Sequence, residues 1–325
     1  MYFEINRRKA MLIGGLGLTN RAWSEPSAYP LKPIKIIVPT PPGGGADYLA
    51  RLIGQKLSAR LSQSIVIENR PGAAGDTAAE QVSKMPGDGY TIFIGAIAIL
   101  ALSPFLYKNL PFDPVKDFTH ISKGVSLSNL LVAHPALPVN NVKELIAYAQ
   151  SKPGLINYSS SGNATAGHLA GVLFASMTNT EMVHIPYKGG GPAMNDLIAG
   201  HVQISFASPP SAMPYVKNGR LKVLGVTSEV RQVHLPGIAT IAETVPGFSA
   251  SNWYCFVAPP NLPKDILDKL NAEIRSSLLE SSVAANLISQ GMIPEPSSPE
   301  ELTQFIVAEM NKWGPVIKRA RISVD

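Results

Sequence analysis

The sequence contains a single cysteine, Cys255, so no disulfide can close within the chain. A lone cysteine says little about compartment, since an exported protein can have none. We read it as a small buried hydrophobe between Tyr254 and Phe256. Charge is also scarce: 16% of the 325 residues are charged, against 45% hydrophobic. The net charge is +5, of which Arg7, Arg8, Lys9 and Arg21 against Glu4 and Glu25 supply +2. The remaining +3 is dispersed, with no Lys/Arg run beyond the N-terminus, which argues against nucleic acid as a partner. No stretch reaches the ~20 apolar residues of a membrane span. Ile92 to Leu102 comes nearest and is too short. His120, His134, His168, His184, His201 and His234 are scattered, without metal-ligand spacing, so no metal site is expected. There is no Gly-x-Ser-x-Gly elbow for a hydrolase and no Gly-Lys-Ser/Thr for a P-loop. No cofactor is expected.

Residues 1–28 have the pattern of an export signal. Arg7-Arg8-Lys9 is a basic start, Ala10 to Leu18 a short apolar run, and a small-residue cut lies near Ala22 to Ala28. The adjacent arginines fit twin-arginine export. The alternative is a disordered basic tail. An exported chain would be periplasmic, with no stable membrane insertion after cleavage.

The most informative stretch is Val38-Pro39-Thr40-Pro41-Pro42-Gly43-Gly44-Gly45-Ala46-Asp47. An apolar run, Ile34 to Val38, precedes it and reads as a buried strand. Tyr48 to Leu57 follows at helical spacing. A glycine-rich turn lets backbone approach a ligand closely, because glycine has no Cβ. The first N–H groups of a helix lack partners and carry the positive end of its dipole, so a small anion suits them. Gly43 to Tyr48 lacks the last glycine of a dinucleotide fingerprint. A plain tight connection is the alternative, and Asp47 reads as a cap or an orienting group rather than a contact to an anion.

A second unit repeats this chemistry. Asn157-Tyr158-Ser159 is a strand, Ser160 to His168 a small polar loop, and a helix runs on to Met177, with Asn163 or Thr165 as its N-cap. Elsewhere, strands at Ser64–Glu68, Tyr90–Gly95, Asn129–Ala133, Met182–Tyr187, Val202–Ala207, Leu221–Val226 and Trp253–Ala258 are interspersed with helices. The helices include Asp76–Lys84, Val142–Ser151, Pro192–Ala199, Lys264–Ser277 and Glu300–Ile317. Such alternation predicts an α/β fold with parallel sheets, whose ligands sit beyond the strands' carboxyl ends. The loops at Pro41–Ala46, Gly72–Gly75 and Gly95–Ala98 then share one rim, which adds Ala73 and Ala96 to the candidate contacts.

Several motifs together resemble the tripartite tricarboxylate transporter substrate-binding proteins, also called Bug-type extracytoplasmic solute receptors. They include Val38-Pro39 with Pro41-Pro42-Gly43-Gly44 and Asp47, Glu68 to Ala73, Asp88-Gly89-Tyr90-Thr91, and Phe112-Asp113-Pro114 with Lys116-Asp117-Phe118. Gly167-His168-Leu169-Ala170, Pro186-Tyr187-Lys188-Gly189 and Trp253-Tyr254 match as well. The likeness runs from about Tyr29 to Ile322. It implies a type II periplasmic-binding-protein fold: two α/β lobes, two crossover segments and a closing cleft. The lobes would take residues 29–128 with 251–325, and 129–250. The resemblance further implies a ligand carboxylate held by backbone groups and waters. Pro42, Gly43, Gly44 and Ala46 would serve one side, Ser160, Gly162, Asn163, Ala164 and Thr165 the other, and Ala207 and Ser208 the far wall. Ala46 stands where the family often has Thr, and Ala207 where it commonly has Asp. Without that acid an amino-acid ligand is disfavoured, so a non-aminated di- or tricarboxylate or aromatic acid is expected. The resemblance implies membrane permease subunits as partners; we expect a monomer.

Other residues admit two readings. His168 either bonds ligand or loop, or packs its helix; His184 reads as core. Lys188 reaches the cleft or forms an exposed salt bridge. Trp253 and Tyr254 read as hinge packing. A hydrolase using Ser160 or Ser161 with His168, and a ligand sensor for a kinase, are the competing functions.

Overall fold

The computed structural model describes Met1, residues 29–232 and residues 235–320. The export segment beyond Met1, His234 and residues 321–325 lie outside the described residues.

The first half of the chain alternates strand and helix. Strand β1 (Ile34–Val38) leads into α1 (Gly45–Leu61), β2 (Ile65–Asn69) into α2 (Asp76–Ser83), and β3 (Thr91–Ala96) into a π-turn at Ala98–Leu102 and α3 (Ser103–Leu106). Strand β1 runs parallel to both β2 and β3, so the three following loops open at the same end of the sheet. Strand β4 (Thr119–Ser128) then passes directly into β5 (Leu130–Ala133), with Asn129 as the single residue between them.

The middle of the chain builds a second sheet. It comprises α4 (Val142–Ser151), β6 (Ile156–Ser160), α5 (Ala166–Thr178), β7 (Met182–Pro186), α6 (Gly190–Ile198), β8 (Ile204–Ala207), α7 (Pro209–Lys217) and β9 (Lys222–Val226). The chain returns through β10 (Ser251–Ala258), α8 (Lys264–Leu279), α9 (Ser281–Ser289), β11 (Met292–Pro294) and α10 (Pro299–Ala320).

Strand order is β11-β4-β10-β3-β1-β2 in the first sheet and β7-β6-β8-β5-β9 in the second. Both sheets are mixed, which corrects the expectation of parallel sheets. Strand β10 is antiparallel to β3 and β4, and β5 is antiparallel to β8 and β9. The reason is connectivity: β5 carries the chain into the second sheet and β10 carries it back into the first, and each runs against the direction of the β-α units there. Helices cover the faces, so the strands are buried and strongly apolar, as with Ile36, Ile37, Val38, Phe93, Ile94 and Phe256.

The two crossing segments are bonded to one another. The Thr227 N–H donates to the Asn129 carbonyl at 2.9 Å, and the Ala250 N–H donates to the Thr227 carbonyl at 2.9 Å. Trp253, buried beside this junction, donates its indole N–H to Glu309 at 3.0 Å and so ties α10 to the crossing. One apolar cluster runs from Ile37 and Phe93 through Trp253 to Leu131 and Phe206. The sequence reading of Trp253 as hinge packing fits this position.

Candidate functional site

The loop after β1 meets α1 without a capping side chain at Gly44. Asp47, three residues into the helix, does that work from inside. Its Oδ2 accepts from the Gly43 N–H at 3.0 Å and from Arg51 Nε at 2.9 Å, while Oδ1 accepts from Asn69 Nδ2 at 3.0 Å. Burial alone would raise the Asp47 pKa, but the hydrogen bonds from Arg51, Gly43 and Asn69 hold it below its ordinary value. The ionised carboxylate therefore fixes the loop and is fully occupied in doing so.

The opposite loop is held by two imidazoles. The Ala164 N–H donates to His168 Nδ1 at 3.0 Å. His184 Nε2 lies 2.7 Å from Ser160 Oγ, which also lies 2.8 Å from the Gly162 carbonyl. His184 is half-buried and tied to the loop, so it is not the plain core residue that the sequence suggested. Burial lowers the pKa of His168 to about 4. Burial, then the neighbouring His168, lowers that of His184 to about 3. Both rings are neutral at pH 7, as acceptor Nδ1 of His168 requires. Thr165 occupies the N-cap position of α5, but its hydroxyl donates to the Gly162 carbonyl at 2.8 Å instead of capping.

These loops face one another across a cleft with two connected chambers. The inner one, about 760 Å³ including the part open to solvent, gathers Gly44, Gly45 and Ala46 from the α1 start and Thr165, Ala166 and Gly167 from the α5 start. It also receives Gly190 at the start of α6 and Ser208 at the start of α7. Four helix N-termini thus converge on one space. Among the described residues no charged side chain lines it. Each helix end presents partial positive charge, and the starts of α1, α5 and α6 add unpaired N–H groups that Pro209 and Pro210 deny to α7, so the chamber is built for a compact anion. Ala96, Ala207 and Ser208 are also on its wall.

The outer chamber, about 1110 Å³, is lined by Ala73, Gly162, Asn163 and the shared Thr165. Lys188 alone among its described lining residues is charged. Pro42 and Gly43 are exposed at the rim and line neither chamber. Ser160, Ala164, Asp47 and His168 also stand behind the surface, as the layer that shapes the loops. The loops touch across the mouth: a Cβ on Gly189 would meet the Pro41 ring at 2.8 Å.

The sequence reading missed Thr40, Asn129, Asn252 and Tyr254, all on the inner wall. Tyr254, which the sequence suggests as hinge packing, also reaches this wall; burial pushes its pKa up to about 12, and its hydroxyl lies 3.0 Å from where a Cβ on Gly45 would be. Ser160 does not pair with His168 as a hydrolase would need: Ser160, 1% exposed, lies against His184 instead, and Nδ1 of His168 accepts from the Ala164 N–H. Among the described residues no group of three or more His, Cys, Asp or Glu is placed to hold a metal ion. No helix among them is long and apolar enough to cross a membrane.

Comparison with known proteins agrees with this architecture. Residues 49–322 match the family described as "Tripartite tricarboxylate transporter family receptor". A solved structure titled Rpa4515 with adipate, from R. palustris, is 36% identical with a TM-score of 0.88, covering 90% of this chain and 98% of that one. MatC from Rhodopseudomonas palustris, with bound malate, is 29% identical with a TM-score of 0.84, covering 89% and 100%. The periplasmic binding protein BugD is 29% identical with a TM-score of 0.87, covering 90% and 99%. The fold is accordingly that of the type II periplasmic binding proteins, two lobes around a ligand cleft. The chain belongs to the tripartite tricarboxylate transporter receptor family, and is a solute-binding receptor of that family rather than an enzyme.

Proposed function

We propose that this protein is exported to the periplasm and there captures a small non-aminated organic acid, which it delivers to membrane permease subunits of a tripartite tricarboxylate-type transporter. The observation that carries this reading is the convergence of four helix N-termini on a chamber without a charged side chain. Backbone N–H groups of Gly44 to Ala46 and of Ala166 and Gly167 hold a carboxylate, with Thr165, Gly162, Asn163, Ala73 and Ala96 completing the wall. Asp47, Ser160, Ala164 and His168 shape the loops from behind, and Pro42 and Gly43 form the lip. An ammonium group would enter a site with no acid to pair with it and four positive dipole ends facing it, which costs several kcal/mol. The relatives bound to adipate and malate, both non-aminated dicarboxylates, favour the same class.

Ligand contacts from both sides of the cleft stabilise the closed arrangement, with residues 29–128 and 251–325 moving as one lobe and 129–250 as the other. The receptor works as a monomer. Titration calorimetry of the mature chain against mono-, di- and tricarboxylates, aromatic acids, glutamate and aspartate tests the reading. Stoichiometric, turnover-free binding of a non-aminated acid is expected. Tightest binding of glutamate or aspartate, or of no acid at all, overturns it.

A further inference from the structure

Asn129 is the residue at which the two sheets meet, and its side-chain Oδ1 has no hydrogen-bond partner among the described residues. It is 2% exposed, yet its Oδ1 is buried without a donor. Its main-chain carbonyl takes the Thr227 N–H. The side chain lines the inner chamber, where Thr40, which lies across the cleft from the second sheet, also has a buried hydroxyl oxygen without a partner. Buried polar groups are almost always satisfied, so two orphans on one chamber wall ask for a ligand atom.

The chemistry of the orphan restricts that atom. A carbonyl oxygen needs a donor, which an ionised carboxylate cannot supply. An ammonium donates, but no carboxylate lines the chamber to balance its charge. A hydroxyl is the smallest neutral group that both donates and accepts, so it suits either face of the Asn129 amide and the Thr40 hydroxyl alike. We propose that Asn129 is the specificity-determining residue of the cleft, and that it selects carboxylic acids bearing a hydroxyl group over their deoxy counterparts. The claim rests on the carboxylate-receptor reading above and adds the second functional group of the cargo. Its position gives the contact a further use. Asn129 belongs to a crossing segment bonded to the other at Thr227, so a ligand hydroxyl there touches the hinge itself. The acid group binds the lobes and the alcohol binds the joint.

A site built to bond a hydroxyl rejects the analogue lacking it, because its own polar groups are then left unpaired. Calorimetry of the mature protein with matched pairs reads this directly: malate against succinate, lactate against propionate, and 4-hydroxybenzoate against benzoate. In at least one pair the hydroxy acid is expected to bind roughly 10- to 100-fold tighter. Asn129→Leu is expected to abolish that preference while leaving the deoxy acid's affinity within about threefold. Equal affinities within every pair that binds overturn the proposal, as they would if a water permanently satisfied Asn129. A preference that persists in Asn129→Leu also overturns the assignment to this residue. Should the leucine variant not fold, Asn129→Ser, with a shorter polar side chain, is expected to reduce the preference; an unchanged preference counts against Asn129. Failure of every acid to bind the wild-type chain is a different result, and it removes the receptor reading itself.

Discussion

His168 lies face to face on His184, with ring centroids 4.0 Å apart and planes 14° from parallel. Burial and stacking at this distance disfavour a charge on either ring, and each ring holds one end of the Ser160–His168 loop. In the unfolded chain a histidine takes up its proton near pH 6.5, whereas here the two resist it until about 4 and about 3. Between those limits the unfolded state binds more protons. The contribution of these two rings is therefore complete above pH 6.5 and declines as pH falls from 6.5 toward 4, by of the order of 3 kcal/mol for His168, against the opposite trend that Asp76 sets over the same range. Urea denaturation from pH 7 to pH 4 is expected to show this decline. It should flatten in His168→Gln with His184→Gln.

Asp47→Ala removes the acceptor shared by the Gly43 N–H, Arg51 and Asn69. Loss of the cap and of hydrogen bonds to a buried carboxylate is expected to cost about 2 kcal/mol, after discounting the half-exposed Arg51. Ligand affinity should fall at least tenfold, since the first loop loses its anchor. The folded pKa of Asp47 is depressed, so its contribution is present above 3.8 and lost as pH drops below that value. Chemical denaturation and calorimetry of the variant check both points.

Asp76 behaves in the opposite sense. Burial raises its pKa to about 7, despite hydrogen bonds from Ser103 and Tyr107. Ser103 Oγ sits 2.8 and 2.9 Å from the two Asp76 oxygens and 2.9 Å from the Ala98 carbonyl, and one hydroxyl proton cannot serve all three. A protonated Asp76 donating to Ser103, which donates onward to Ala98, satisfies the set. The folded state thus holds a proton that the unfolded state releases above 3.8. Stability falls as pH rises from 3.8 to 7 and then levels off, with a ceiling of about 4 kcal/mol. Asp76→Asn is expected to raise the melting temperature at pH 8 and to change it far less at pH 5. Scanning calorimetry at the two pH values decides it.

Gly167 and Gly43 separate close approach from backbone strain. A Cβ on Gly167 would lie 2.4 Å from the Phe206 carbonyl, where only main-chain movement makes room. A Cβ on Gly43 meets nothing within 4 Å, but φ is +89°. Gly167→Ala is expected to cost more than 2 kcal/mol and to weaken ligand binding, because it pushes the α5 start away from β8. Gly43→Ala is expected to cost about 1 kcal/mol. Equal costs for the two would contradict the packing of α5 on β8.

Much of this was legible in the residues. Ile34–Val38 followed by three glycines, and Asn157–Ser160 followed by Ser161-Gly162-Asn163, announced the two loops that face the cleft, because both are strand, turn and helix start. Strand β4 was not legible: His120, Ser122, Lys123, Gly124 and Ser126 interrupt it, and their polar groups find partners only in the folded chain, as Lys123 does with Glu295. Helix α7 was hidden by Pro209, Pro210 and Pro214, although proline at the first positions suits a helix start. Asn129, Asn252 and Tyr254 become neighbours of the chamber only through the crossing between sheets, which no local pattern encodes.

The anchor proposed for the acid group is made of main chain, and that has an evolutionary consequence. Every residue but proline brings the same N–H, so point substitution rarely deletes the grip, and no ion pair must be rebuilt when the cargo changes. Positions such as 129 and 207 are then free to drift, and a lineage can exchange one nutrient for another while its oldest handhold stays in place.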